Sequence, residues 1–187
     1  MTLRLRGLLL TVAETLVLTL FLFVGIQTVV AQPRQVQQVS MENTLLPNQY
    51  VLVDKLTPRF EPYGRGDIVV FTEPGAAPDA TPLIKRVIGL PGDTVDLAGG
   101  HVVINGHALQ EPYVYPGSVT LPLTAQTHWV IPAGDLFVLG DHREASRDSR
   151  AFGPVPIANV LGRAWLRYWP PGTFGVLATP RYPDLAP

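Results

Sequence analysis

The chain has 187 residues, with 14 Lys and Arg set against 15 Asp and Glu, and it contains no cysteine. A net charge near zero leaves no basic field, which argues against nucleic acid as a partner. The absence of cysteine removes disulfides and thiolate metal sites. With an N-terminal apolar run set aside, about 155 residues remain, enough for one domain with its own core.

Residues 8–31, LLLTVAETLVLTLFLFVGIQTVVA, match one membrane crossing, which needs about 20 apolar residues. Arg4 and Arg6 precede the run and Arg34 follows it. That bias places residues 1–7 in the cytoplasm and residues 32–187 outside it. Glu14 lies within the run; a start at Thr15 would leave the span near its lower limit. A cleaved signal peptide is the rival reading, because Val29-Val30-Ala31 carries small residues at the right spacing. The apolar run, however, is longer than the ~7–15 residues of such peptides.

Residues 36–39 predict a short extended segment leading into Ser40, and residues 42–48 turn the chain. Residues 50–56 alternate as a strand does. A Pro- and Gly-bearing loop at 57–66 leads to a continuous apolar strand at 67–72. An exposed loop at 73–82 precedes a strand at 83–89, closed by the turn 90–93. Residues 96–100 read as a turn, 101–104 as a strand, Asn105-Gly106 as a hairpin signal, and 127–131 as a strand. Residues 94–134 are therefore expected to form a small β subdomain inserted between two halves of a core sheet. Residues 135–139 return to the core, 140–153 form a charged loop, 160–168 end the sheet, and 180–187 form a frayed tail. The fold class expected is mainly β: one N-terminal transmembrane helix, then an antiparallel sheet domain with an inserted subdomain.

Ser40 stands just beyond the apolar run, so its chemistry would be held against a membrane. A serine nucleophile needs a base, and Lys85, flanked by Leu83-Ile84 and Val87-Ile88, is the one base candidate in an apolar setting. A lysine with pKa ~10.4 is charged at neutral pH; burial and a neighbouring cation would lower it. The bland alternative is a lysine that blunts a sheet edge. In the loop 140–153, Asp141, Arg143, Glu144, Arg147, Asp148 and Arg150 interleave with Ser146 and Ser149. The alternation of sign points to an ion-pair lattice, with a solvated turn as the alternative. A metal site at Asp141, His142 and Asp148 is opposed by the adjacent arginines. A triad using His142 with Asp148 ranks below the Ser-Lys pair.

With these residues in view, the chain resembles bacterial type I signal peptidases, membrane-anchored Ser-Lys endopeptidases. Ser40-Met41 with Thr44-Leu45 resembles the nucleophile box, and residues 66–71 (GDIVVF) the second core box. Residues 85–93 (KRVIGLPGD) match the general-base box. Gly140-Asp141, Arg143, Ser146, Asp148-Ser149-Arg150 and Gly153 match the last box. The resemblance implies Ser40 as nucleophile and Lys85 as general base. It also implies Ser146 orienting the Lys85 amine, with Asp148, Arg150, Arg86 and Asp141 as supporting salt bridges. Gln38 and Val39 stand where the family usually has a small or hydroxyl residue and Gly, Asn43 where it often has Pro, and His142, Glu144 and Ala145 where Asn, Asp and Asn are commoner. The Ser40 N–H and the Gln38 amide are the oxyanion-hole candidates. Val36, Met41, Leu45 and Ile84 are the expected lining of small substrate pockets. The substrate would add as a strand beside residues 83–85 and 36–39. The expected partners are exported preproteins and the lipid bilayer. No cofactor, metal or nucleic acid is expected, and a monomer is. A self-cleaving repressor-type Ser-Lys peptidase and a catalytically silent β module that binds exported chains remain as alternatives.

Overall fold

The structure is a computed structural model; it describes residues 2–77, 79–180, 182 and 185, and, within these, not the side chains of residues 2–5, 8 and 28. Arg4 and Leu8 of the expected N-terminal boundary, and most of the expected tail, thus fall wholly or by their side chains outside the described residues. An α-helix, α1, runs Thr2–Gly25 and passes into a π-helical turn at Ile26–Val30. Its described large apolar residues, Leu9, Leu16, Phe21 and Phe23 among them, are exposed. Counted over the described residues, no helix is long and apolar enough to cross a membrane. The expected end of the apolar span at residue 31 shifts, because Ala31 already belongs to strand β1 (Ala31–Gln35). From there the backbone pairs with β2 (Tyr50–Asp54), Ala31 opposite Asp54 and Gln35 opposite Tyr50.

The main sheet is antiparallel in all its pairings. It contains β1, β2, β3 (Ile68–Phe71), β4 (Leu83–Gly89), β9 (Asp135–Leu139), β10 (Val155–Pro156) and β11 (Val160–Trp169), in the order β1-β2-β11-β3-β4-β9-β10, with β12 (Gly175–Val176) beside β11. The expected continuous apolar strand, β3, and the neighbouring β4 and β9 are the central strands, almost wholly buried. A second sheet, ordered β7-β6-β5-β8, is built between β4 and β9 from β5 (Thr94–Ala98), β6 (His101–Ile104), β7 (His107–Ala108) and β8 (His128–Val130). The expected turn at 96–100 is corrected here. Asp96–Ala98 belong to β5, and the chain reverses at Gly99 and Gly100, both at positive φ, where a side chain would be strained. The Asn105-Gly106 hairpin has both central residues at positive φ, as a type I′ turn requires.

Three apolar clusters fill the domain. One lies against the second sheet, around Trp129, Phe137, Ile131 and Ile88. A second contains Val36, Met41, Leu45, Val51, Val53, Ile68, Val70 and Ile84. A third packs Val69, Phe71, Val87, Leu136, Val138 and Val155. The second cluster matters most for the site, because it joins the segment after β1, through Val36, Met41 and Leu45, to Ile84 of β4. Three strands lie between β1 and β4 in pairing order, yet that segment and β4 share one apolar interior.

Candidate active site

Two backbone hydrogen bonds continue the β1–β2 pairing past Gln35: Val36 N–H to Gln49 O and Asn48 N–H to Val36 O, each 2.8 Å. The chain then breaks into a single 3₁₀ turn, Val39–Met41, because Met41 and Leu45 turn inward to fill the second cluster. That turn carries Ser40, which is 1% exposed. Lys85 projects from β4 opposite Val69 and is 0% exposed. Its Nζ lies 2.7 Å from Ser40 Oγ and 3.1 Å from the carbonyl oxygen of Ile84. Among the described residues no carboxylate forms an ion pair with it. Burial therefore dominates, and it lowers the Lys85 pKa to about 8 against the opposing pull of Asp148 and Asp141. The neutral amine, almost absent from a solvated lysine at pH 7, becomes readily accessible.

The adjacent strand residue meets the opposite treatment. Arg86 Nε and Nη2 donate to the two carboxylate oxygens of Asp141 at 2.9 and 2.7 Å. Its third nitrogen donates to Gly66 O at 2.9 Å, and the guanidinium plane lies over the Tyr113 ring at 4.1 Å. Thr44, four residues past Ser40, donates its hydroxyl to Asp141 Oδ2 at 2.5 Å. Arg150 grips Asp148 through Nε and Nη2, both at 2.8 Å, and reaches the carbonyl oxygens of Arg143 at 2.6 Å and Ser146 at 3.3 Å. Asp148 also accepts the Gly140 N–H at 3.1 Å and caps the short helix α2 (Ser149–Phe152) through the Arg150 N–H. The charged loop is thus a fixed lattice of bidentate pairs.

Met41 and Leu45 are fully buried and do not line the groove formed by residues 34–38 with Ile84; Val36 and Ile84 do, and Ser40 and Lys85 follow closely in sequence but are not part of its lining. Gln38 is exposed and lies along the groove, and among the described residues its amide has no hydrogen-bond partner. The expected hydrogen bond from Lys85 to Ser146 is absent. The Lys85 amine is instead shared between Ser40 and the Ile84 carbonyl, and Ser146 Oγ is buried without a partner. Ser146 nonetheless comes close to the Ser40 backbone, because Gly140 has no side chain. A Cβ there would collide with Ser146 Oγ and with the Ser40 carbonyl oxygen. The His142 ring serves neither a triad nor a metal. Its Nδ1 is 2.9 Å from Glu42 Oε2 and it stacks on Tyr115 at 4.2 Å. Among the described residues no cluster of three His, Asp or Glu side chains could hold a metal ion.

The groove has two walls. One is residues 34–38; the other is Thr81, Pro82 and Ile84. Both walls present unpaired backbone. β1 is the outermost strand of the sheet, and β4 pairs with β9 only from Arg86 onward, so residues 83–85 lack a partner on that side. A family model described as "Signal peptidase, peptidase S26" matches residues 9–169. The chain belongs to this family. Curated relatives include a signal peptidase I from Leptolyngbya laminosa, 40% identical over 89% of this chain and 83% of the relative. A signal peptidase I from Bacillus caldolyticus is 38% identical over 85% and 87%. A probable signal peptidase I-2 from Synechocystis is 38% identical over 90% and 77%.

Sequence reading missed several contacts that hold the turn carrying Ser40. Beyond the Glu42–His142 pair, the Asn43 amide donates to the carbonyl oxygens of Tyr113 at 3.0 Å and Val114 at 3.4 Å. Asn43 sits at φ 83°, a conformation Asn tolerates. Arg143 is buried and paired with Glu111, its Nη2 at 2.5 Å from Oε1. Three polar residues in a row after the nucleophile were a visible signal, but their partners lie about 70 to 100 residues away.

Proposed function

We propose that this signal peptidase cleaves exported preproteins with Ser40 as nucleophile and Lys85 as general base. The observation that carries the reading is the 2.7 Å contact between a fully buried, carboxylate-free amine and a buried hydroxyl. In the neutral form Lys85 Nζ takes the Ser40 proton as Oγ attacks the scissile carbonyl carbon. The tetrahedral oxyanion collapses, the C–N bond breaks, and the resulting lysyl ammonium returns its proton to the leaving amine. The acyl group then rests on Ser40 as an ester. Water, deprotonated by the same amine, adds to that ester and releases the acid. The Ser40 N–H lies in the first turn of a helix, where amides lack helical partners, and is one oxyanion donor; the Gln38 amide is the second.

The lattice of Arg86, Asp141, Asp148 and Arg150 supports the site without touching the reacting atoms, and Ser146 braces the turn against Gly140. An extended substrate adds as a strand between the two unpaired walls, with Val36 and Ile84 limiting the inward side chains to small ones. We further propose that the apolar run ending before β1 anchors the chain in the cell membrane, with residues 1–7 cytoplasmic and the sheet domain outside. The exposed apolar side chains of α1 support this reading, as does the membership of the chain in this family. The second sheet, about residues 94–134, is read as a subdomain, and the protein as a monomer. The test is incubation of the detergent-solubilised full chain with a preprotein. Cleavage after small residues by wild type, and none by Ser40→Ala, is the expected result; equal cleavage by both would overturn the dyad.

A further inference from the structure

Seven arginines of the sheet domain are held firmly. Arg65, Arg86, Arg143, Arg147, Arg150 and Arg163 each meet a carboxylate, and Arg167 is anchored on the carbonyl oxygens of Thr44 and Thr173. Arg34 differs. It is half-buried, it lines the substrate groove, and its side chain's contact is a long 3.4 Å one to Gln32 Oε1. Among the described residues no carboxylate pairs with it. Strand alternation puts Gln32, Arg34 and Val36 on one face of the chain, and Val36 lines the groove from the apolar cluster that also holds Met41 of the Ser40 turn. Arg34 therefore stands one inward position farther from Ser40 than the apolar pocket.

We propose that Arg34 selects substrates carrying an acidic side chain upstream of the cut. This rests on the strand-addition reading above. An extended segment whose reacting carbonyl meets Ser40 runs back along residues 38 to 34. Its inward side chains recur every second residue. If the third residue before the cut faces Val36, the fifth faces Arg34. A guanidinium presents a planar fork that matches a carboxylate and is never deprotonated at working pH. Its backbone is fixed on a paired strand (Arg34 opposite Val51), so binding costs side-chain freedom alone, which holds the gain down. Cross-strand pairs of opposite charge are modest, and the expected preference for Glu over Gln at the fifth position is about twofold to fivefold in kcat/KM. Because the site is open to water, the preference should shrink as salt is raised.

The experiment uses the full chain in neutral detergent, with and without added anionic lipid, and a series of otherwise identical preprotein-derived peptides. They carry Gln, Glu or Lys in turn at the fourth, fifth and sixth positions before the cut. Wild type should favour Glu at the fifth position, Arg34→Gln should be indifferent, and Arg34→Glu should favour Lys there. An unchanged Glu preference in Arg34→Gln, or no preference in wild type, overturns the inference. A defect of Arg34→Glu that is equal for all peptides and appears only with anionic lipid also overturns it, assigning the guanidinium to a lipid headgroup. Failure to cut the Gln peptides at all would instead count against the peptidase reading, so the two failures are distinguishable.

Discussion

Lys85 and Arg86 are neighbours on one strand, both buried, yet the protein holds their charges under opposite conditions. Arg86 enters the interior with a bidentate carboxylate, a carbonyl and an aromatic face already arranged around it. Lys85 enters with a hydroxyl and one carbonyl. A buried cation given a counter-ion stays charged; one denied it moves toward neutrality. Asp141 and Asp148 are near enough to pull on Lys85, but each has its oxygens committed to an arginine. The lattice thus supplies rigidity while withholding the ion pair that would disable the base.

The most severe way to break this comparison is to delete the base. Lys85→Ala and Ser40→Ala should each lower kcat by about 10³-fold or more, with melting temperatures that do not fall in proportion. Wild-type kcat/KM should rise as pH passes through about 8; a profile flat from pH 6 to 9 would show that the amine does not titrate in the step. Next in size, Arg86→Met strands Asp141 as a buried charge and should cost about 3–5 kcal/mol in denaturant unfolding. A loss below 1 kcal/mol would mean the lattice is solvated.

The converse effect is expected at Lys85. Its folded pKa is depressed, so its contribution to stability is full above pH 10.5 and is lost as pH falls through about 8. At pH 7 the wild type carries a penalty of about 3 kcal/mol. Lys85→Met should therefore raise the melting temperature at pH 7, and the gain should vanish near pH 10.5. A gain that persists there would trace to packing instead. The smallest effect belongs to Gln38→Ala, at or below the low end of the ~10²–10³-fold loss typical of one oxyanion donor; equal turnover would remove Gln38 from the oxyanion hole.

Periodicity and flanking turns were enough to place residues 83–89, 101–104 and 135–139 in strands, because each is a short segment rich in branched apolar residues and closed by a clear breaker. Asp96–Ala98 read as a turn because Gly99-Gly100 follows directly, and the composition of a turn spreads its signal onto the strand it ends. The apolar run beyond Gly25 carries no mark of where helix gives way to strand, since Val29, Val30 and Ala31 suit both. In the site, the resemblance brought Ser40 and Lys85 forward, and the charge pattern of the 140–153 loop foretold pairing. The absent Lys85–Ser146 bond and the inward turn of Met41 and Leu45 were not legible. Both depend on how far β4 and the nucleophile turn sink into a shared core, which is a property of packing and not of local sequence.

The gap between residues 34–38 and 83–85 also bears on how the protein behaves when idle. An open strand edge is a template on which copies of a chain can stack. Here both unpaired stretches are short and line one groove. On the strand-addition reading a single extended segment can pair with both, whereas a flat sheet from a second molecule would meet only one of them. A loosely structured stretch of chain is thereby favoured over a folded neighbour.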